Sequence, residues 1–170
     1  MWKKFNSLII VSLLASWWNG RHKGLKILAL LGVPVQVRPR LPIFNYMYAF
    51  ITIGTNNLKK SSFFYTKLLK QLNIRKALTH KRYIGYAKVG SLKKIELYII
   101  KPYNKKKATF GNGSMITFSA RSKKIVDQFY NIGIKLGAKD EGKPGPRHGK
   151  DYYAYLRDLD GNKICVYKKI

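Results

Sequence analysis

Arg147 and His148 are the residues whose chemistry is easiest to read from this sequence, because they follow a loop rich in glycine and proline. A histidine in a polar loop can act as a general acid or base near neutral pH. An arginine can hold a carboxylate or a phosphate through paired hydrogen bonds from its planar guanidinium. The alternative for both residues is an ordinary solvent-exposed loop position.

Tyr152 and Tyr153 lie at the start of the next apolar segment, which we predict to be a strand. Successive side chains of a strand point to opposite faces of its sheet, so only one of these two tyrosines can face a ligand cleft. The other packs against a helix or lies in solvent. The sequence does not decide which tyrosine takes which place.

Glu96 and Cys165 are two further residues with reactive side chains. The Glu96 carboxylate lies next to Lys93 and Lys94, which suits an exposed strand position. Cys165 is the only cysteine, so an internal disulfide is excluded and nothing requires an oxidising compartment. We find no glycine-rich phosphate loop, no Ser-His-Asp constellation and no cysteine cluster, which leaves those site classes without support.

A repeat at an offset of 65 residues organises the chain from Met47 to Ile170. Each copy shows a short apolar strand, a polar cap and an amphipathic helix, which predicts two supersecondary modules that bury a shared face. The matching pairs are Ile51-Thr52 with Ile116-Thr117, Lys59 with Lys124, and Phe64-Tyr65 with Phe129-Tyr130.

Hydrophobic periodicity predicts the elements of each copy. The predicted strands are 48–54, 83–89, 95–100, 115–120, 152–157 and 163–168. Side-chain oxygens at residues 55–57 and 122 are predicted to cap the N-termini of the two helices. Residues 142–146 are predicted to be a loop, and residues 158–162 a tight hairpin turn beside a local Arg157–Asp158 ion pair. The fold class predicted is α+β, with two tandem βαβββ modules that form a curved, open, barrel-like mixed sheet with the helices outside.

Three segments of residues 47–170 carry a family resemblance. They are residues 111–114, 140–147 and 152–164, the last being an aromatic strand, a turn and a final strand. Together they resemble the vicinal oxygen chelate superfamily, which contains glyoxalases, bleomycin resistance proteins and extradiol dioxygenases, and within it a glyoxalase-like subgroup. The resemblance implies a single domain whose modules span about 47–103 and 112–170.

The resemblance also implies four positions where family members bind a divalent metal, and here they map to Phe50, Glu96, Met115 and Cys165. Phenylalanine cannot ligate, and only Glu96 keeps a ligand type that suits a hard metal. Met115 and Cys165 are soft donors that could serve an ion such as Cu(I), but such residues more often fill cores. We therefore predict a degenerate metal site and no cofactor, with a divalent metal only under the enzyme alternative below.

Two functions follow from the resemblance and these substitutions. The first is a metal-independent protein that binds a small anionic metabolite or drug-like molecule in the cleft between the modules. The second is a glyoxalase-like lyase or isomerase, or a dioxygenase-related enzyme, that uses Glu96 or His148 as its catalytic group. The residues predicted to contact the ligand are Phe50, Met115, Arg147, His148, Tyr152, Tyr153 and Cys165.

The excess of positive charge does not by itself predict nucleic-acid binding. The full chain carries a net charge of +27, and residues 47–170 hold 22 lysines but only five arginines. AT-rich coding explains such a lysine-rich composition without any polyanion. We expect a small anionic molecule as the partner, and neither nucleic acid nor a membrane. The resemblance also allows a homodimer, because family members often pair modules within or between chains.

Residues 1–46 form a separate segment that takes no part in the repeat. Its start, Met1 to Lys4 followed by an apolar run, has the outline of a secretory signal. Residues 17–42 have no structural period, and their back-translation resembles a leucine transfer-RNA gene in the order and spacing of its parts. We therefore predict that residues 1–46 are a non-native extension, that the functional cytoplasmic protein begins at Met47, and that native peptides from residues 17–40 are absent by mass spectrometry.

Overall fold

The computed structural model describes residues 27–28, 34–35 and 48–170, and the chain divides into two units, Met1–Asn45 and Tyr46–Ile170. In the first unit, strand β1 (Ile27–Leu28) pairs antiparallel with β2 (Pro34–Val35). The prediction for residues 1–46 otherwise falls outside the described residues. Among the residues described, no helix is long and apolar enough to cross a membrane.

The second unit contains two modules with the same topology, as the repeat predicts. The first module comprises β3 (Ile51–Gly54), α1 (Leu58–Leu69), a 3-10 turn (Lys70–Leu72), β4 (Ile74–Thr79), β5 (Tyr83–Lys88) and β6 (Leu97–Ile100). The second comprises β7 (Ile116–Ser119), α2 (Lys123–Lys135), β8 (Lys139–Pro146), β9 (Tyr152–Arg157) and β10 (Lys163–Lys168).

Each module forms one four-stranded mixed sheet, in the order β3-β6-β5-β4 or β7-β10-β9-β8. The first strand of each module runs parallel to its last strand, and the other pairs are antiparallel. The two sheets remain open, and the α+β fold of two βαβββ modules is confirmed.

Both helices begin where the sequence predicts a cap. The Asn57 side chain accepts a hydrogen bond from the backbone N–H of Lys60, and the Ser122 side chain accepts one from Ile125. These oxygens satisfy donors that the first turn of a helix leaves unpaired. The capped helices therefore start at fixed points directly after β3 and β7.

One face of each sheet packs against the helices, and we call it the helix face. In the second module, Ala154 and Leu156 of β9 and Ile164 and Val166 of β10 are buried there with Phe129 of α2. The residues between them in sequence point to the opposite side, which we call the open face. The alternation of the strands thus separates a common apolar core from a second surface that is available for binding.

Two strands were not predicted. β4 was missed, and β8 includes residues 142–146, which we predicted to be a loop. Both are edge strands, and β8 pairs with β9 through an irregular register around Gly142 and Gly145. Proline and glycine are tolerated at edges and irregularities because not every backbone group there must join a ladder.

The β9–β10 turn fastens the second module to the first. Asp158 accepts a hydrogen bond of 2.6 Å from the Tyr65 hydroxyl of α1, and the Asn162 side chain donates one of 3.1 Å to the Gly54 carbonyl oxygen. Gly161 has a φ of 89°, as expected for an Asp-Gly turn. The predicted Arg157–Asp158 ion pair is wrong, because Asp158 turns inward to Tyr65 while Arg157 pairs with Glu141 on β8.

Asp160 of the same turn binds the start of the first module's helix. Its carboxylate accepts hydrogen bonds from the hydroxyls of Thr55 and Ser61 and from the backbone and side chain of Asn56. Burial alone would raise the pKa of Asp160, but these hydrogen bonds outweigh it and hold the pKa below its ordinary value. The β9–β10 turn of the second module therefore also holds the two modules together through these hydrogen bonds.

Candidate functional site

The candidate site lies where β3 of the first module approaches β7 of the second. A hollow of about 180 Å³ is lined there by Thr52, Met115 and Lys163, together with residues 109–111. A second hollow of about 200 Å³ is lined by Glu96, Thr117 and other residues of both modules. Residues from the two modules therefore share one seam, as the predicted inter-module cleft requires.

Strand register decides how the four residues mapped to family metal positions are arranged. Within the first module, Ile51 lies opposite Leu97, which places Phe50 opposite Glu96. Within the second, Ile116 lies opposite Ile164 and Thr117 opposite Cys165, so Met115 faces Lys163. All four residues lie on the open faces of their sheets. Phe50 and Glu96 are directly opposite each other, whereas Cys165 lies two residues beyond Lys163, the residue opposite Met115.

The four residues also differ in environment. Phe50 is 56% exposed and its ring meets Tyr98 edge-on at 5.4 Å, while Met115 is 45% exposed. Glu96 forms an ion pair with Lys94 at 3.4 Å. Cys165 is fully buried, and burial raises the pKa of its thiol to about 11.

An aromatic cluster covers the open face of β9 and β10. The Tyr153 and Tyr155 rings are parallel with centroids 6.1 Å apart, and Tyr167 of β10 lies 4.9 Å from Tyr153. His148 meets Tyr153 edge-on at 5.8 Å. We call Tyr153, Tyr155, Tyr167 and His148 the tyrosine cluster. It offers flat apolar surface with polar tips, which suits a planar ligand.

Arg147 lies beside this cluster. Its guanidinium donates hydrogen bonds to the backbone oxygens of Pro146 and Lys143, and a side-chain carbon added at Gly145 would lie 2.9 Å from it. Glycine at position 145 therefore lets the guanidinium lie close against β8. Among the described ion pairs none involves Arg147, so its charge has no carboxylate partner in this part of the chain.

The structure places Tyr152 away from Tyr153. Its hydroxyl donates a hydrogen bond of 3.1 Å to Asp127 of α2, and Lys123 lies over its ring at 5.4 Å. Tyr152 thus belongs to the helix face, and Tyr153 is the member of the pair on the open face. This settles the alternative that strand alternation left undecided.

Several open-face residues were not found by sequence reasoning. Tyr155 and Tyr167 join the tyrosine cluster, and the spacing of two between Tyr153 and Tyr155 was the available signal.

Glu141 forms ion pairs with both Arg157 and Lys163. The hydrogen bonds from these two cations, the one from Arg157 most of all, lower the pKa of the Glu141 carboxyl. This three-residue ion-pair group joins three strands and has no sequence signature, because its members are 16 and 6 residues apart.

One solved structure decides the family. A glyoxalase/bleomycin resistance protein from Albidiferax ferrireducens T118 is 36% identical to this chain, and the match covers 74% of this chain and 100% of that protein with a TM-score of 0.67. The chain belongs to the glyoxalase/bleomycin resistance protein family. The resemblance to the vicinal oxygen chelate superfamily is thereby confirmed.

More distant structures share the fold of this family member. The fosfomycin resistance protein FosX from Mesorhizobium loti is 16% identical over 72% of this chain and 92% of its own, with a TM-score of 0.53. A lactoylglutathione lyase from Agrobacterium tumefaciens is 17% identical over 71% and 92%, with a TM-score of 0.51. No family model and no curated protein matches the chain.

Among the residues that the structure describes, no three His, Cys, Asp or Glu side chains of this family member lie close enough together to hold a metal ion. The site residues instead divide into two groups. Glu96 and Met115 line the seam, and Arg147, His148 and Tyr153 lie together over β8 and β9. Cys165 underlies the second group at the centre of its sheet.

Proposed function

We propose that this glyoxalase/bleomycin resistance family protein binds a small anionic molecule, and does so without a metal ion. The observation that carries the proposal is the tyrosine cluster on the open face of the second module. Beside it lies Arg147, whose guanidinium has no carboxylate partner among the described residues. The rings would hold the flat, apolar part of the ligand, and the guanidinium would hold its anionic group. We also propose that the protein is cytoplasmic, since its single cysteine requires no oxidising compartment.

The four mapped positions do not fit a divalent metal. Phe50 has no donor atom, and Met115 offers a thioether that binds hard ions poorly. Cys165 would have to lose its proton to ligate, and burial, which raises the pKa of its thiol to about 11, opposes that loss. Glu96 alone cannot supply the three protein ligands of a catalytic zinc site, and it already pairs with Lys94. We therefore derive no step through a metal.

The polar groups around the cluster favour an anion over a neutral ligand. Two backbone hydrogen bonds hold the Arg147 guanidinium in place, so little side-chain entropy remains to be lost when it binds. His148 is exposed at the edge of the cluster, with a left-handed φ of 51°, and can add a hydrogen bond. Phe50 of the first module and Met115 of the second would form an apolar floor at the seam.

A lyase or isomerase activity is the second candidate, and the position of Glu96 favours it. Glu96 lines the seam hollow of about 200 Å³ together with apolar residues of β7, so a substrate carbon there would lie near a carboxylate base. Such an enzyme would move a proton between neighbouring carbons, as glyoxalase-type reactions require. His148 would be the other candidate for the catalytic group.

The test of binding uses 8-anilinonaphthalene-1-sulfonate, a fluorescent aromatic anion, titrated into the purified full-length chain. We expect saturable binding that weakens about tenfold or more in Arg147→Ala, which corresponds to losing one charged hydrogen-bonding group. Arg147→Lys should recover only part of the affinity, because lysine keeps the charge but not the planar fork. Arg121→Ala removes an exposed arginine elsewhere on the second module and is the matched control.

The same preparations distinguish binding from catalysis. Metal analysis after dialysis against Zn²⁺, Ni²⁺ or Mn²⁺ should find less than stoichiometric metal, and a glyoxalase assay with each ion should show no turnover. One metal per chain, with turnover that is lost in Glu96→Gln, would overturn the binding proposal in favour of the enzyme. Equal probe affinity in Arg147→Ala and Arg121→Ala would reject the assigned ligand site.

A further inference from the structure

Positive charge is distributed unevenly between the modules. Residues 47–110 carry 15 basic residues and a single acidic one, Glu96, which gives +14. Residues 111–170 carry 12 basic and six acidic residues, which gives +6. Coding bias explains a high total but not this difference, because it acts on both modules alike. The first module therefore has a charge asymmetry that needs its own explanation.

Part of this charge lines two adjoining hollows at one end of the first sheet. The hollows measure about 460 and 540 Å³ and share Asn56 and Lys101 as lining residues. Arg82 and the run Lys105–Lys107 line the first, and Lys81 is among the lysines that line the second. We call this pair of hollows the basic rim.

Within the described residues, no ion pair neutralises the cations of the basic rim. The ion pairs found in the described residues involve Lys94, Arg157 and Lys163, none of which lines the rim. Asp160 lies behind Asn56, but its oxygens accept hydrogen bonds from Thr55, Asn56 and Ser61. A concave surface lined by one sign of charge concentrates its field and attracts anions.

Aromatic rings lie among these cations. Tyr103 is 87% exposed, and the Arg82 guanidinium lies over its ring at 5.0 Å. His80, which lines the second hollow, stacks on Tyr83 with centroids 4.5 Å apart. Exposed rings next to lysine and arginine are the combination that binds single-stranded nucleic acid, where bases stack and phosphates pair with cations.

We infer that the basic rim of the first module is a binding surface for single-stranded nucleic acid, distinct from the ligand site of the second module. A duplex fits less well, because the rim is a depression, whereas reading a duplex requires a helix or ribbon that protrudes into a groove. A membrane surface fits less well, because interfacial binding needs a row of exposed apolar side chains beside the charges. The two hollows together also exceed what one small phosphate ester would fill.

Fluorescence anisotropy with a labelled oligothymidylate of about 15 nucleotides tests the inference on the full-length chain. The variant Lys105→Gln/Lys106→Gln/Lys107→Gln should weaken binding about tenfold or more, and reduce the slope of log K against log salt by about 2. The control Lys124→Gln/Lys150→Gln/Lys169→Gln removes the same charge from exposed positions of the second module. It should leave both affinity and slope close to those of the parent chain.

Tyr103→Ala tests the stacking component separately. It should weaken binding about fivefold or more without changing the salt slope, since no charge is removed. Equal losses in the two lysine triples would overturn the inference, because they would indicate unspecific attraction to net charge. So would binding to phosphatidylserine vesicles that the oligonucleotide does not compete away, or displacement of the oligonucleotide by an equimolar amount of tripolyphosphate.

Discussion

The Tyr65 hydroxyl of the first module donates a buried 2.6 Å hydrogen bond to the Asp158 carboxylate of the second. The two residues are 93 positions apart and lie in α1 and in the β9–β10 turn. Burial raises the pKa of Tyr65 well above its ordinary value, and the neighbouring Asp158 charge and hydrogen bond raise it further. The hydroxyl therefore stays protonated and serves as a permanent donor across the module boundary.

Tyr65→Phe should lower the free energy of unfolding by about 1.5–3 kcal/mol, because it removes a hydrogen bond to a buried charged group without removing the ring. Urea denaturation followed by circular dichroism measures the change. Tyr103→Phe removes the hydroxyl of a tyrosine that is 87% exposed and should have no measurable effect on unfolding. Equal stability of Tyr65→Phe and the parent chain would show that the modules do not depend on this contact.

Asp160 should make the protein sensitive to acid. Its pKa is lowered in the folded state, so its contribution to stability is complete above the ordinary aspartate value and is lost as the pH falls through the lowered one. Melting temperatures measured from pH 5 downward should fall more steeply for the parent chain than for Asp160→Asn, which starts from a lower stability. Glu96→Gln removes a carboxylate outside the turn and is the control. A parent chain and an Asp160→Asn variant with parallel acid curves would contradict this role.

Cys165 should be unreactive in the folded protein. Its thiol is buried and its pKa is raised to about 11, so at pH 8 both access and thiolate are lacking. Ellman's reagent should label the native protein very slowly and the urea-unfolded protein at once. The pKa of the Cys165 thiol is higher in the folded protein than in the unfolded chain, so the protonated thiol favours folding. This contribution to the free energy of unfolding is present below pH 9 and is lost as the pH rises towards 11. Rapid labelling of the native protein would contradict this prediction, because it would show that the Cys165 thiol is accessible to the reagent.

Restoring metal ligands tests whether the family positions are mapped correctly. Phe50→His with Met115→His would supply two imidazoles beside Glu96, and three such ligands suffice for a catalytic-type zinc site. We expect the double variant to bind about one Zn²⁺ or Ni²⁺ per chain after dialysis, measured by atomic absorption. Phe63→His with Ile134→His places two histidines on exposed helix positions and should bind no more than the parent chain. Equal metal content in the two double variants would show that the mapping is wrong.

The tandem βαβββ architecture could be predicted because local patterns carried it. Apolar spacing and capping residues predicted both helices, and β9 and β10 occupy the residues predicted for them. β4 and β8 could not be found in this way, since an edge strand is held by its partner's backbone and needs no apolar face of its own. Residues 142–146 are too rich in glycine and proline to indicate a strand, yet they pair with β9.

The sequence by itself determined which residue types are present, and hence that Phe50 can hold no metal and that only one of Tyr152 and Tyr153 can face a ligand. Tertiary structure decided that Tyr153 is the one on the open face, because α2 packs on the face that Tyr152 occupies. It also decided that Arg157 pairs with Glu141 and that Asp158 reaches Tyr65. Partners such as these are chosen by distance in space, and strand register and module packing set that distance. Local sequence patterns report neighbours along the chain, so they could name the residues of the site but not their contacts.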